Sequence, residues 1–385
     1  MVVAWTFPTR ILFGENATLE IGAEARHLHG SRALIVTDPG IVAAGLLQTI
    51  TDALDKASIS YATFDRVSSN PSETQVEDAA RAYNDSQADF VIAIGGGSAI
   101  DVGKLVRLRA AHSLPLAEYD ETVHGGGKVT GKVPPMIAIP TTAGTGSEVG
   151  RASVVTLGAT HKKTTILAPK LLPDVAILDP RLSVSLPPAT TAATGFEALA
   201  HSIEAYCALG DHPMADAIAL ESIELIGHNL ERAVNDGANI EARGAMLKAA
   251  MMGGVAMRKG LGACHSLAHP LDSEFNLHYG LATALCLPAV LDFNRAVIPK
   301  KIAHIARILG ARGKDVETLA FECSGAVRQL RKKCHLPASL HDVGIGDEML
   351  PKLATLAFAD LAHHLNPRTC TQHDLVTLYQ ASAGE

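Results

Sequence analysis

The sequence predicts an α/β domain built on a parallel sheet, followed by an all-helical domain. Short β-rich apolar runs alternate with helical stretches through the first half, which is the pattern of βαβ units. After Asp179-Pro180 the pattern changes to long segments of 3.6-residue period with almost no strand signal. A length of 385 residues also exceeds what one ordinary core accommodates. The boundary is expected near 181–186, giving domains 1–182 and 183–385.

The elements follow in order. ALIVTD (33–38), ATFDRV (62–67), FVIAIGGG (90–97) and MIAIPTT (136–142) read as strands ending in turn residues. Helical stretches at 43–57 and 74–86 separate them. SVVTLGATHKKTTIL (153–167) reads as a hairpin and VAILDP (175–180) as a further strand. Pro187-Pro188 and Thr190-Thr191 open the first helix of the second domain. No internal repeat or low-complexity tract interrupts the chain.

Composition narrows the function. Hydrophobic residues make up 47% and charged residues 19%, as in a well-buried globular protein. Net charge is −7, and the basic runs 161–163 and 331–333 are too short to argue for nucleic acid. No stretch approaches ~18 uninterrupted apolar residues, so no membrane span is expected. The N-terminal MVVAWTFPTRILFG lacks a basic start and a cleavage site, so no signal peptide is expected. Six scattered cysteines without a CxxC suit reduced thiols in a cytoplasmic protein. Cys264, adjacent to His265, is the exception: it reads first as a structural thiol, with a ligand or redox role as the alternative.

Two loops could hold phosphates. GGGSAIDVGK (95–104) follows an apolar strand and opens a helix. Free N–H groups and the helix dipole suit a pyrophosphate there, and glycines allow close approach. Gly95, Gly96, Gly97, Ser98 and Asp101 are the candidates; the alternative is a plain Gly-rich turn. PTTAGTGSEV (140–149) also follows a strand, and Thr141, Thr142, Thr145 and Ser147 could bind ribose, phosphate or an amide. Both loops would lie at the carboxyl edge of one sheet. Lys163 joins the cofactor-binding candidates. Asp38 ends ALIVTD, where it either accepts from an adenosine ribose or caps the turn before Pro39-Gly40. In the first role it would repel a 2′-phosphate and favour NAD over NADP.

The helical half carries Glu197/His201 and His265/His269, each pair four residues apart and so on one helix face. His278 follows in NLHYG, and Glu204 stands one further turn beyond His201. One carboxylate with several histidines is the ligand set of a divalent transition metal. The competing reading of Glu197/His201 is an ordinary pair on a helix face, but its Ala, Leu, Tyr and Gly neighbours make that face a buried one. His363 and His364 read as helix-end residues. A dinucleotide beside a metal suggests hydride transfer, in the cleft between the halves where ligand sites commonly form.

Taken together, GGGSAIDVGK, PTTAGTGSEV, TAATGFEALAHSIEAY, GLGACHSLAHPL, LHYGLATALCLP and NPR resemble the iron-dependent (group III) alcohol dehydrogenases, including the maleylacetate reductase-like branch. The resemblance covers most of the chain. It implies a dehydroquinate synthase-like fold, NAD, and a divalent cation (Fe2+ or Zn2+). It also implies a small alcohol, aldehyde or oxo acid as substrate and a homodimer or higher homo-oligomer. In that family an Asp and three His hold the metal. Those positions fall on Glu197, His201, His265 and Tyr279, with His278 one residue before the last. On a regular helix His278 would point about 100° away from Tyr279. The resemblance makes His269 a candidate proton relay, with Tyr279 beside it as a catalytic candidate. Three other readings stay open: a metal-independent reductase of an oxo acid or enoate, a lyase of the dehydroquinate synthase type, and an inactive NAD-binding protein.

Overall fold

The computed structural model describes residues 9–159 and 163–384. Two compact units divide the chain. One comprises the described residues up to Thr142 together with Gly146–Ser185; the other comprises Ala143–Thr145 and the residues from Leu186 onward.

The first unit is built on a six-stranded sheet. Its strands are β1 (Arg10–Phe13), β2 (Arg32–Val36), β3 (Ser60–Phe64), β4 (Phe90–Gly95), β5 (Met136–Pro140) and, after a hairpin, β8 (Val175–Leu178). They lie in the order β1-β8-β5-β4-β2-β3, and every pairing is parallel. The hairpin is β6 (Ala152–Thr156) with β7 (Lys163–Leu167), antiparallel from Ala152↔Leu167 to Thr156↔Lys163. The expected hairpin residues 160–162 lie outside the described residues.

Helices cover both faces. They are α1 (Ile21–His27), α2 (Pro39–Ala43), α3 (Leu46–Lys56), α4 (Glu73–Asp85) and α5 (Gly97–Ala111). Alternation along a strand sends successive side chains to opposite faces. Ile35, Ile92 and Ile94 pack with Ile50 and Leu54 of α3, whereas Leu34, Val91 and Ala93 pack with Val76 of α4 and Leu105 of α5. A strand buried on both faces is apolar throughout, and β4 is buried at every position. That is why FVIAI is so plain in the sequence.

Three elements differ from expectation. Strand β1 was not among the expected strands: its apolar run Ile11-Leu12-Phe13 is short, and as an edge strand it is mostly exposed. The helix expected at 43–57 is α3, which begins only at Leu46 because Gly45 before it takes φ 72°, and the short α2 ahead of it was not expected. The expected strand 62–67 ends earlier, at Phe64, and begins at Ser60.

A buried polar knot ties α5 to the hairpin. Lys104 is fully buried. Its Nζ donates to Ser147 Oγ (2.6 Å), the Ala152 carbonyl (2.7 Å) and Asp101 Oδ1 (3.4 Å). Asp101 also accepts from Ser147 Oγ (2.5 Å) and from the Val154 amide (2.9 Å). Burial pushes the Lys104 ammonium down, opposed by Asp101. The adjacent Glu148 is buried as well, and burial pushes its carboxyl up to about 7.

The second unit is helical: α6 (Pro188–Cys207), α7 (Pro213–Asn235), α8 (Ile240–Ala256), α9 (Ala263–Phe275), α10 (Tyr279–Asn294), α11 (Pro299–Ile308), α12 (Val316–Lys333), α13 (Leu350–Phe358) and α14 (Gln372–Ala383). Helix α6 is buried continuously from Thr191 to Cys207, so it is a core helix rather than an amphipathic one. Its small residues let neighbours approach. A Cβ on Gly280 would collide with the Ala193 carbonyl and stand 3.3 Å from Glu197 Cβ. The start of α10 is thereby pressed onto α6. Among the described residues no helix is long and apolar enough to cross a membrane.

Glu148 generates a pH expectation. Its ordinary value is 4.5 and its folded value about 7. A carboxyl raised in the folded state contributes stability that is present below the unfolded pKa and lost as pH rises through the folded one. Wild-type stability should therefore fall between about pH 4.5 and 7, by at most about 3 kcal/mol from this group. Denaturant titrations across that window should show a shallower fall for Glu148→Gln, and an equally steep one would assign the slope to other groups.

Candidate functional site

In the first unit the phosphate-loop residues gather at the carboxyl edge of the sheet. Gly95 ends β4 with φ 146°, a backbone that L side chains rarely adopt. A Cβ there would stand 2.8 Å from Ala99 Cβ and 2.9 Å from Asp38 Oδ2. Gly96 is the N-cap of α5 and provides no side-chain cap. The first-turn N–H groups of a 15-residue helix are thus left without a side-chain partner. A Cβ on Gly96 would meet only Thr142 Oγ1 at 3.5 Å, an ordinary contact. The protein itself would tolerate a side chain at 96; the glycine keeps space over the helix end. Gly97 is the first residue of α5.

Asp38 follows β2 and takes the capping role of the two its sequence position allowed. Its Oδ1 caps α2, accepting from Gly40 N (2.8 Å) and Ile41 N (3.1 Å). Its Oδ2 stands over Gly95. Thr141 continues the β4–β5 ladder, its amide donating to the Gly95 carbonyl at 2.9 Å.

Other candidates are engaged elsewhere. Ser98 Oγ donates to the Ser69 carbonyl at 2.7 Å. Lys163 Nζ donates to Asn70 Oδ1 at 3.2 Å, in the same loop. Asp101 and Ser147 belong to the Lys104 knot. Their part is internal structure rather than a surface offered to a ligand. Thr145 belongs to the second unit with Ala143 and Gly144.

In the second unit four side chains converge from three helices. Glu197 and His201 come from α6, His265 from α9 and Tyr279 from the first position of α10. The His201 and His265 rings stack with centroids 4.8 Å apart. The Tyr279 ring lies 5.9 Å from His265 and 5.2 Å from His269. Glu197 is buried, and its Oε2 would stand 2.9 Å from a Cβ on Gly144.

Two carboxylates, one of them unforeseen in any role, orient the imidazoles. Glu204 pairs with His265 Nδ1 and also accepts the Cys264 amide (2.6 Å) and the Gly262 amide (3.1 Å). Asp360 Oδ2 accepts from His269 Nδ1 at 2.8 Å, and the Tyr279 hydroxyl is 3.2 Å from His269 Nε2. A sequence signal for Asp360 was absent, because it lies about ninety residues beyond its partner in a short turn.

Protonation follows from burial. Burial, with the neighbouring His265, holds His201 well below its ordinary value, so the ring is neutral. Burial, with Glu197, holds the Tyr279 phenol well above its ordinary value. Burial works against the Asp360 carboxylate, but hydrogen bonds from His269, Ser266 and the Ala362 amide hold it well below the usual range. Cys264 is buried and its thiol is pushed well up; its Sγ donates to the Thr283 carbonyl at 3.5 Å. It is therefore a packed thiol, not a ligand.

His278 needs correcting. It was expected as a metal ligand, but it is the N-cap of α10, its exposed ring accepting from the Gly280 amide at 3.1 Å. The helix begins at the next residue, so it is Tyr279 that turns toward the histidines.

Among the described residues, no group of three or more His, Cys, Asp or Glu side chains is placed to hold a metal ion. Two buried imidazole nitrogens nevertheless suit a cation. His201 Nδ1 and His265 Nε2 are both buried and have no hydrogen-bond partner among the described residues. Buried polar nitrogens are rarely left so. Glu197 supplies a carboxylate one turn from His201, and the Glu204 bond behind His265 is the backing that metal-bound imidazoles usually have.

Comparison with known proteins agrees with this geometry. Residues 8–180 match the family model described as iron-containing alcohol dehydrogenase, and residues 191–383 match the C-terminal model of the same family. The 4-hydroxybutyrate dehydrogenase of Cupriavidus necator is 36% identical over 97% of this chain and 98% of its own length. The NAD-dependent methanol dehydrogenase of Bacillus methanolicus is 34% identical over 96% of this chain and 97% of its own. The solved structure of a 1,3-propanediol oxidoreductase superposes with a TM-score of 0.95 at 34% identity, covering 99% of this chain and 100% of that one. The chain belongs to the iron-containing alcohol dehydrogenases, and it is an oxidoreductase of alcohols and their carbonyl counterparts.

The two loop glycines should separate by experiment. Gly96→Ala should keep the wild-type Tm, since its Cβ meets only an ordinary contact, yet weaken NADH binding about tenfold or more, measured by fluorescence titration. Gly95→Ala should lower Tm, because its backbone and both neighbours oppose a Cβ. If Gly96→Ala binds NADH normally, the dinucleotide does not lie over the α5 terminus.

Proposed function

We propose that the protein interconverts a small alcohol and its aldehyde or ketone with NAD(H), assisted by a divalent cation, Fe2+ or Zn2+, held by Glu197, His201 and His265. The observation that carries this reading is the pair of buried, unpartnered nitrogens, His201 Nδ1 and His265 Nε2, in stacked rings. A neutral imidazole pair with a carboxylate is an open three-donor set. The dinucleotide would carry the hydride chemistry, and the cation would lower the pKa of the substrate hydroxyl.

The chain's own groups do the rest. The α5 N-terminus would take the pyrophosphate, with its dipole and free amides facing the charge. Asp38 Oδ2, with Oδ1 already occupied by the α2 amides, would accept from the adenosine ribose and oppose a 2′-phosphate. Glu204 keeps His265 in the tautomer that leaves Nε2 available. Tyr279 and His269 would carry the hydroxyl proton away from the substrate oxygen. The substrates named for the two relatives, hydroxybutyrate and methanol, are both small, which supports a small substrate here.

The test is elemental analysis beside an NADH-oxidation screen over aldehydes, ketones and oxo acids. Chelation should abolish turnover, and Fe2+ or Zn2+ should restore it. His265→Ala should lose both metal and activity, while Tyr279→His should raise metal occupancy. Full turnover in chelated, metal-free protein would overturn the cation's role and leave a metal-independent reductase. Independently, Asp38→Gly should narrow the preference for NADH over NADPH. A wild type that already uses NADPH equally well would remove Asp38 from the ribose site.

A further inference from the structure

We infer that Asp360 is a positioning residue for proton transfer: it holds His269 in the one tautomer whose Nε2 can take a proton from Tyr279. This rests on the oxidoreductase reading above and names a residue that reading did not include.

The geometry is directional. Asp360 Oδ1 is fully occupied, accepting from Ser266 Oγ (2.7 Å) and the Ala362 amide (2.8 Å). Ser266 Oγ is itself fixed, accepting from the His363 amide at 2.9 Å. The carboxylate therefore cannot turn freely, and its other oxygen is aimed at His269 Nδ1, 2.8 Å away. A carboxylate only accepts, so Nδ1 carries the hydrogen and Nε2 presents its lone pair. The Tyr279 hydroxyl, 3.2 Å from Nε2, must then be the donor. The order Tyr O–H, imidazole, carboxylate follows the logic of a hydroxyl–His–Asp triad, in which the carboxylate sets tautomer and orientation.

The transfer balances. In alcohol oxidation the substrate carbon loses a hydride to NAD+. The substrate O–H bond breaks and its proton moves to the Tyr279 oxygen, while the proton of Tyr279 passes to His269 Nε2. The phenol ends neutral, and His269 ends as an imidazolium facing Asp360. Carbonyl reduction is the reverse. No oxidant beyond NAD+ is consumed.

An isosteric change tests it. In Asp360→Asn the amide can keep the Ser266 and Ala362 bonds through its oxygen. It then turns N–H toward Nδ1, forcing the hydrogen onto Nε2. In metal-loaded enzyme kcat should fall roughly 100-fold, with KM, NADH affinity and metal content within about twofold of wild type. Asp360→Glu, which restores a carboxylate, should recover part of the loss. Tyr279→Phe should lose kcat similarly, and adding Asp360→Asn to it should cost little more. Heteronuclear NMR of the imidazole nitrogens should report Nδ1–H in wild type and Nε2–H in Asp360→Asn, without any turnover. Wild-type kcat in Asp360→Asn, or losses of KM, NADH affinity and Tm together, would overturn the positioning role. So would an unchanged tautomer. A wild type inactive on every alcohol and carbonyl tested would instead strike the oxidoreductase reading, leaving the NMR result to judge Asp360.

Discussion

A single buried carboxylate, Glu204, sets the geometry of the helical unit's site. It leaves α6 near its C-terminal end and accepts from the Gly262 and Cys264 amides and from His265. Those amides belong to the start of α9, where N–H groups lack intrahelical partners and the dipole favours negative charge. A buried ion costs several kcal/mol unless its lone pairs are satisfied, and three donors satisfy this one. The fit is close enough that a Cβ on Gly262 would stand 2.9 Å from Glu204 Oε1. The approach of α9 to α6, the direction of the His265 ring and the freedom of its Nε2 are therefore one solution to one electrostatic problem.

The same device recurs one turn along α9 with the opposite consequence. His269 is backed by Asp360 as His265 is backed by Glu204, yet its Nε2 is engaged by Tyr279 while that of His265 has no partner among the described residues. Two imidazoles on one helix face, each fixed through Nδ1, are thus distinguished only by what meets the far nitrogen. A free nitrogen is open to a cation, whereas a nitrogen already facing a hydroxyl is placed to exchange a proton with it. The sequence pattern HxxxH states the spacing but not this difference, which depends on where α10 begins.

Much of the fold was legible because burial on two faces leaves strands such as FVIAI without polar interruption. Strand β1 was not, since its apolar run is only three residues long and, at the sheet edge, mostly exposed. Gly45 delayed the start of an expected helix because a single positive φ outweighs the apolar period around it. In the site, side chains that helix spacing brings together were visible from sequence: Glu197, His201, His265 and His269. Side chains whose role depends on a cap or a turn were not. His278 reads as a ligand until the helix start is known, and Asp101 and Ser147 read as ligand contacts until the buried Lys104 claims them. The loop 140–149 reads as one motif, yet Ala143–Thr145 group with the helical unit and its other residues with the sheet.

Tyr279 in place of a histidine has an electrostatic logic. Gly280 packs against the Ala193 carbonyl, so the position of residue 279 is set by the backbone rather than by its side chain. A phenol there reaches His269 Nε2, and burial with Glu197 nearby keeps it neutral. The surrounding acids are Glu197, Glu204 and Asp360, and His201 is held neutral. The bonds made by Glu204 and Asp360 come from backbone amides, a serine and imidazoles, with no lysine or arginine among them. A cluster of acids and neutral rings is unfavourable to bury without positive charge. A divalent cation at the free nitrogens would supply that charge, and so would a proton on His269. The Tyr279–His269–Asp360 chain is a route by which that second charge could come and go with each turnover, while the first stays in place.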